Sequence, residues 1–178
     1  MARIVPEPLK IIKYPHPTLR RVCAEVEHFD EELRALAGRM FQIMYASGGV
    51  GLAAPQVAVP IRLFVANPTG QPGTGERVYV NPGIVEQDGS EAAEEGCLSV
   101  PGVACRIKRH TRATIRAKDL DGKEFQETGE GLLARIFQHE MDHLNGMLIV
   151  DRMSAVGRLS HRRTLKELEE EYTGEQGV

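Results

Sequence analysis

The chain has 178 residues, 42% hydrophobic and 26% charged, as in ordinary globular proteins with one substantial core. Its formal net charge of −3 gives no general basic field, which argues against a protein that binds nucleic acid. We expect no export signal, because the N-terminal stretch has no apolar segment, and no membrane span, because no window approaches about 18 apolar residues. Three cysteines are an odd number for a disulfide framework, so we expect a reducing, cytoplasmic compartment.

The predicted elements are helices towards the two ends of the chain and strands between them. Prolines should keep residues 1–20 extended, and Asp30 should cap a helix that runs to about Ala46 and is broken by "SGGVGLAAPQ". Strands are predicted at 61–67, 77–81, 84–85, about 100–107, 112–119 and 123–128, with a hairpin turn at Asp121-Gly122. Two helices should follow, at about 130–145, stopped by Gly146, and at about 155–172.

These elements predict a single α+β domain over residues 1–178. We expect antiparallel sheets packed around the central helix at 130–145, with an N-terminal helix and a C-terminal helix.

The central helix contains "QHEMDHLNG", which places His139 and His143 four residues apart with Glu140 between them. At 100° per residue, both histidines lie in the apolar stripe that contains Leu132 and Ile136. The polar set on the opposite face is Arg135, Gln138, Asp142 and Asn145. Two buried imidazoles at this spacing crowd each other and both need partners, so the pattern favours a metal site over two core histidines bonded to backbone.

A catalytic metal site requires a third protein ligand and one open position. In the extended pattern H-E-x-x-H-x-x-G-x-x-H, the last ligand position is Ile149, which cannot bind metal. Glu167 lies in a highly charged helix and is more typical of a solvated face. Cys97, in "EEGCLSVPG", is the remaining candidate, although a free cysteine is commonly only a small buried hydrophobe.

Three stretches bear on this choice when they are taken together: "GVGLAAPQ" (49–56), "EGCLS" (95–99) and "QHEMDH" (138–143). In this order and at these separations they closely resemble the motifs of the peptide deformylase family. The opening "IIKYPHPTLR" is also similar, so the resemblance covers roughly residues 9–170.

The resemblance implies a metal site and a catalytic set. Cys97, His139 and His143 would hold one divalent metal ion per chain, with water as the fourth ligand. Iron(II) is the metal expected from the family, and Zn²⁺, Ni²⁺ or Co²⁺ also suit thiolate and imidazole ligands. Glu140 would act as general base and then acid, while the Gln56 amide and the Leu98 backbone N–H would donate to the formyl oxygen.

The implied substrate is the N-terminal formylmethionine of a nascent polypeptide, hydrolysed to formate and a free amine during protein maturation. Gly49, Val50 and Gly51 would pair with the substrate backbone in a strand-like manner. An apolar pocket that includes Leu132, Ile136 and the face of His139 would accept the methionine side chain. Arg135 is a charged residue beside this apolar wall, and its side chain either extends outward or narrows the pocket.

Three other functions stay open on the sequence alone. A zinc endopeptidase would need a ligand such as Glu167 and would not need Cys97. A structural metal module that binds RNA or a partner protein would normally have a closed, four-ligand site. A member of the same family with altered acyl specificity would hydrolyse acetyl as well as formyl peptides.

The C-terminal helix has segregated charges, with four basic residues in 158–166 and Glu167, Glu169, Glu170 and Glu171 after them. Arg163–Glu167 and Lys166–Glu170 are expected as i,i+4 ion pairs, whereas Arg158, Arg162 and Lys166 would line one face. Because a bacterial deformylase is known to dock its C-terminal helix near the ribosomal exit tunnel, we hypothesise weak, salt-sensitive ribosome binding through this face. No DNA or membrane partner is expected.

Overall fold

The computed structural model describes residues 8–175. Its helices are α1 (Glu31–Ala46), α2 (Leu132–Leu144), α3 (Ile149–Arg152), α4 (Ala155–Ser160) and α5 (Arg162–Glu175), with 3₁₀ turns at Pro17–Arg20 and Ala54–Val57. Its strands are β1 (Gly51–Ala53), β2 (Leu63–Ala66), β3 (Arg77–Asp88), β4 (Glu91–Gly96), β5 (Ala104–Arg109), β6 (Arg112–Lys118) and β7 (Glu124–Glu130).

The strands form two antiparallel sheets, which confirms the predicted α+β class. The larger sheet has the order β1-β2-β3-β6-β7, and the smaller one pairs β4 with β5. Strand β2 is buried on both faces, because α1 and α2 cover opposite sides of the larger sheet. Leu63 and Val65 pack towards α1, whereas Phe64 packs with Phe137 of α2. The central helix therefore lies in the interior, as predicted.

The N-terminal helix matches its prediction at both ends. The Asp30 carboxylate accepts a hydrogen bond from Leu33 N at 2.9 Å, which satisfies a free donor of the first turn. The helix ends at Ala46, ahead of the glycine-rich stretch. The hairpin predicted at Asp121-Gly122 also forms, with Gly122 at φ 80°.

The central helix begins two residues later than predicted, because Glu130 is the last residue of β7 and Gly131 makes the turn. It stops where expected. Gly146 has φ 73°, and a Cβ there would lie 2.5 Å from the Arg20 carbonyl oxygen. Both the backbone conformation and the close contact therefore require glycine at this position. The N-terminal segment holds this end: Cys23 N donates to Leu144 O at 2.9 Å.

Several details differ from the sequence predictions. Strands β1 and β4 and the short helix α3 were not predicted, and the strands predicted at 77–81 and 84–85 form one strand, β3. The single helix expected at about 155–172 is divided at His161, whose Nε2 donates to the Ala104 carbonyl oxygen of β5 at 2.9 Å. The polar face of α2, which the sequence places opposite the apolar stripe, is also largely buried, since Gln138 and Asp142 are each less than a tenth exposed.

The prolines predicted to keep residues 1–20 extended lie partly outside the described residues. From residue 8 onward the segment is irregular up to the 3₁₀ turn at Pro17–Arg20. No helix in the described part of the chain is long and apolar enough to cross a membrane.

Candidate active site

Three potential metal ligands converge where α2 faces the loop that follows β4. His139 Nε2 and His143 Nε2 lie 3.1 Å apart, and Cys97 Sγ lies 3.3 Å from His143 Nε2. All three ligand atoms lie within 4.8 Å of one another. Two imidazole nitrogens and a sulfur facing one another across this space are chemically matched to a divalent transition metal. The residues therefore fit the ion, and Glu167 lies elsewhere, on α5, paired with Arg163 at 2.7 Å.

The orientation of His139 is fixed by a carboxylate. Its Nδ1 donates a hydrogen bond to Glu95 Oε1 at 2.6 Å, which turns Nε2 towards the cluster. Burial alone would raise the pKa of Glu95. The hydrogen bonds from His139 and Arg109 outweigh burial and hold that pKa well below its usual range. Glu95 thus stays charged and keeps the imidazole in place.

Glu95 is a residue that the sequence reasoning missed. The available signal was its position two residues before Cys97, because alternate residues of an extended segment point to the same side. A metal-ligating histidine generally needs a carboxylate or carbonyl on its other nitrogen, so a search for that partner would have pointed to this position.

A chain of buried ion pairs extends from Glu95 behind α2. Arg109 binds both Glu95 oxygens, at 2.7 and 3.2 Å, and its Nη1 binds Asp142 Oδ2 at 2.6 Å. Asp142 also accepts from Arg152 at 2.6 and 3.1 Å. Arg135 donates to Glu95 Oε2 at 2.9 Å and to the Ile107 carbonyl oxygen at 3.1 Å. This chain explains why the polar face of α2 is buried.

Glu140 lies beside the cluster with its carboxyl group almost fully enclosed. The residue is 3% exposed, and its Oε2 has no hydrogen-bond partner among the described residues. Burial raises the pKa of this carboxyl to about 7, which nearby positive charge on His139 only partly offsets. A group with this pKa can take up and release a proton near neutral pH, as a general base and acid must.

The two imidazoles differ electrostatically. Burial opposes charge on His139, yet hydrogen bonds with Cys97 and Glu95 raise its pKa well above the ordinary value. Burial and the neighbouring His139 charge lower the pKa of His143 well below that value. At neutral pH the His143 ring is therefore uncharged, the form in which imidazole binds metals.

Gln56 places its amide nitrogen at the edge of the cluster. Its Oε1 accepts from Ala53 N at 2.8 Å, which fixes the amide so that Nε2 points the other way. Nε2 lies 3.2 Å from Ser99 Oγ and 3.8 Å from Cys97 Sγ. The 3₁₀ turn at Ala54–Val57 holds Gln56 in this position.

An open cleft of about 470 Å³ leads to the cluster. Its lining includes the sequence-predicted residues Gly49, Val50, Gly51, Gln56, Cys97, Leu98, Leu132, Ile136, His139 and Glu140. Leu132 is half exposed at the cleft, rather than buried with the helix stripe. Arg135 also lines the cleft, with its guanidinium group bound to Glu95.

A helix that presents two imidazoles and a buried carboxyl to a thiol at the base of an open cleft defines a metal-dependent hydrolase. Residues 8–159 match the family described as polypeptide deformylase. The chain belongs to this family, whose enzymes remove N-formyl groups from nascent polypeptides.

Individual relatives agree with this assignment. The chain is 44% identical to the peptide deformylase of Rhodopirellula baltica over 172 residues, which are 96% of this chain and 86% of that protein. A plant peptide deformylase crystal structure superposes with a TM-score of 0.94 at 42% identity, covering 100% of this chain and 97% of that one. Peptide deformylase from Plasmodium falciparum gives 0.90 at 42% identity, covering 93% and 98%.

Proposed function

We propose that this chain hydrolyses the N-formyl group of formylmethionyl nascent polypeptides and releases formate. The observation that carries the proposal is the approach of the Cys97, His139 and His143 ligand atoms to within 4.8 Å, in a cleft that also contains the buried Glu140. We further propose that the whole chain, residues 1–178, acts as one catalytic domain.

Cys97, His139 and His143 would hold one divalent metal ion per chain. We propose iron(II) as the ion used in the cell, with Zn²⁺, Ni²⁺ or Co²⁺ able to take its place. When bound, the ion supplies Lewis acidity, which polarises the formyl carbonyl and makes a water molecule more acidic. The three free cysteines are consistent with a reducing, cytoplasmic location.

Glu140 moves the proton. It removes a proton from the attacking water as the new carbon–oxygen bond forms, and then donates it to the amine nitrogen as the carbon–nitrogen bond breaks. Its pKa of about 7 suits both transfers.

Gln56 and Leu98 stabilise the negative charge that develops on the formyl oxygen. The Gln56 amide nitrogen is held beside Cys97 and can donate to this oxygen, together with the Leu98 backbone N–H. Substrate backbone would pair with Gly49, Val50 and Gly51, because β1 is the edge strand of its sheet.

Leu132, Ile136 and the ring of His139 form the apolar wall for the methionine side chain. The hydrogen bonds of Arg135 to Glu95 and to the Ile107 carbonyl hold its guanidinium group away from this wall. The methylene groups of Arg135 can therefore form part of the wall.

The deciding experiment compares hydrolysis of formyl-methionyl and acetyl-methionyl peptides by anaerobically purified, metal-loaded protein. We expect rapid formate release from the first substrate and little acetate from the second. Glu140→Ala should retain metal and lose at least ~100-fold in rate, the usual contribution of a positioned base. Equal rates on both peptides would indicate a different acyl specificity. Full metal retention in Cys97→Ala would favour an endopeptidase-type site.

We also propose that the C-terminal region contacts the ribosome, through a smaller basic surface than the sequence indicated. Arg158 belongs to α4, and its Nη2 donates to the Val150 carbonyl oxygen at 2.6 Å, so the basic face is not continuous. Arg162 and Lys166 lie on α5, where Lys166 pairs with Glu170 at 3.4 Å. Cosedimentation with ribosomes at low and high salt tests the idea. Loss of binding when all three basic residues are changed to Gln would support it, and equal pelleting would not.

A further inference from the structure

A second cavity, of about 670 Å³, lies behind α2, on the side away from the candidate active site. We call it the rear cleft. It is lined by Ile84, Gln87, Ser90, Lys108, Arg109, His110, Gln138, Met141, Asp142, Asn145 and Arg152. Only one of these residues, Asp142, is acidic, although the chain as a whole has a net charge of −3.

The buried ion pairs that run from the rear cleft to the candidate active site do not balance. Three guanidinium groups, from Arg109, Arg135 and Arg152, share only two carboxylates, those of Glu95 and Asp142. Each carboxylate already accepts hydrogen bonds on both of its oxygens. One positive charge is therefore left over, and Asp142 has no further charge to offer a molecule in the cleft.

A second positive charge stands at the rim. Lys108 is exposed on β5, and its ammonium group makes no ion pair with the described residues. Its cross-strand neighbour is Ala92, which cannot neutralise it. Of the side chains that line the rear cleft, Lys108, Arg109 and Arg152 are cationic and Asp142 alone is acidic. This excess of two positive charges produces a local positive potential in a protein of net charge −3.

Hydrogen-bond donors that have no partner within residues 8–175 accompany these charges. Arg152 uses Nε and Nη2 on Asp142, which leaves Nη1 available, and its side chain is 42% exposed. Asn145 accepts from Arg62 through Oδ1, so its amide NH₂ remains available to the cleft. Ser90, whose hydroxyl group is a further donor, also lines the cleft. Two cationic and two neutral donors suit the several acceptor oxygens of a phosphate group.

We propose that the rear cleft binds a phosphate group, either as free phosphate or as the phosphomonoester of a small molecule. A phosphate monoester carries about −1.5 to −2 charges near neutral pH, which matches the two excess positive charges. The volume is large enough for an ester substituent beyond the phosphate. The ligand would contact Arg152. A series of hydrogen bonds connects Arg152 to His139 by way of Asp142, Arg109 and Glu95. A bound ligand would therefore restrict the motion of the ion pairs behind the candidate metal site.

The experiment measures thermal unfolding of the metal-loaded protein with inorganic phosphate or chloride, at constant ionic strength. A ligand that binds only the folded state raises Tm, and for a domain of this size we expect a rise of about 2–4 °C at about 10 mM phosphate. Lys108→Gln should reduce this rise by more than half, and Lys108→Glu should abolish it. Lys123→Gln, which removes an exposed lysine from the β6–β7 hairpin, is the matched control and should respond like the wild type.

Glycerol 3-phosphate in place of phosphate distinguishes the two sources: a larger rise would identify a small phosphorylated molecule, and an equal rise would identify free phosphate. No rise in the wild type would overturn the proposal. So would equal rises in the wild type and Lys108→Glu, because the anion would then be bound elsewhere, for instance at the metal. Lys108 lies outside the active-site cleft, so its variants should hydrolyse formyl peptides normally in phosphate-free buffer.

Discussion

Gly51 allows a sharp test of the position of Glu140. A Cβ on residue 51 would lie 2.4 Å from Glu140 Oε1, 3.0 Å from its Cδ and 3.1 Å from Ile136 Cγ2. An ordinary contact requires roughly 3.4 Å, so in Gly51→Ala the carboxyl group must move by roughly 1 Å. A displacement of that size from a reactive geometry can reduce the rate by about 100-fold, or about 2.7 kcal/mol in the barrier.

The assay measures kcat on a formyl-methionyl peptide together with metal content. We expect Gly51→Ala to retain its metal, since the atoms nearest to the added Cβ belong to Glu140 and Ile136 and not to a metal ligand, and to show the loss in kcat. Gly38→Ala is the matched control: a Cβ there meets nothing within 4 Å, and its position inside α1 should raise stability by up to about 1 kcal/mol. A wild-type kcat in Gly51→Ala would refute the proposed position of the base.

Gln56→Ala should lower kcat by roughly 100-fold, as expected for loss of a donor to the developing oxyanion, whereas a change in KM alone would show that Gln56 only binds substrate. Glu95→Gln should weaken metal affinity by about 10- to 100-fold, because the proton on His139 Nδ1 loses its charged acceptor; unchanged affinity in a metal titration would exclude this positioning role. The pKa of Glu95 is lower in the folded than in the unfolded chain. Its contribution to stability is therefore present above about pH 4.3 and is lost as the pH falls towards the lowered pKa. Glu95→Gln should accordingly lose much less stability on acidification than the wild type. Air should inactivate iron(II)-loaded protein faster than nickel-loaded protein, because iron promotes oxidation at the Cys97 thiolate, and equal decay rates would contradict this argument.

The features that the sequence predicted well depend on local chemistry. Asp30 caps α1 through a hydrogen bond three residues away, and the spacing of His139 and His143 follows from helical geometry alone. The i,i+4 pair between Arg163 and Glu167 also forms as predicted. In each case the interacting groups lie within one helical turn, so the sequence contains the whole interaction.

The features that were missed depend on distant partners. Strand β4, with the sequence "EAAEEG", contains no β-branched or aromatic residue, and it is a strand because it pairs with β5. The break at His161 likewise accompanies a hydrogen bond to Ala104, 57 residues earlier. In the sequence Glu95 is indistinguishable from the other acidic residues around it. The arginines that pair with it lie 14 and 40 residues away, so its role is not visible locally.

The anchoring of the last turn of α2 has a consequence for the order of assembly during synthesis. Leu144 O is bonded by Cys23 N, and Gly146 packs beneath the carbonyl of Arg20, so the two segments joined there are separated by more than 120 residues. Contacts of such long sequence separation form late and slowly, because a large loop must close first. Residues 20–23 can therefore bind the end of the helix that contains both histidines only after most of the chain has been synthesised. A protein proposed to act on polypeptides as they leave the ribosome can complete its own metal centre only after most of its own chain has left it.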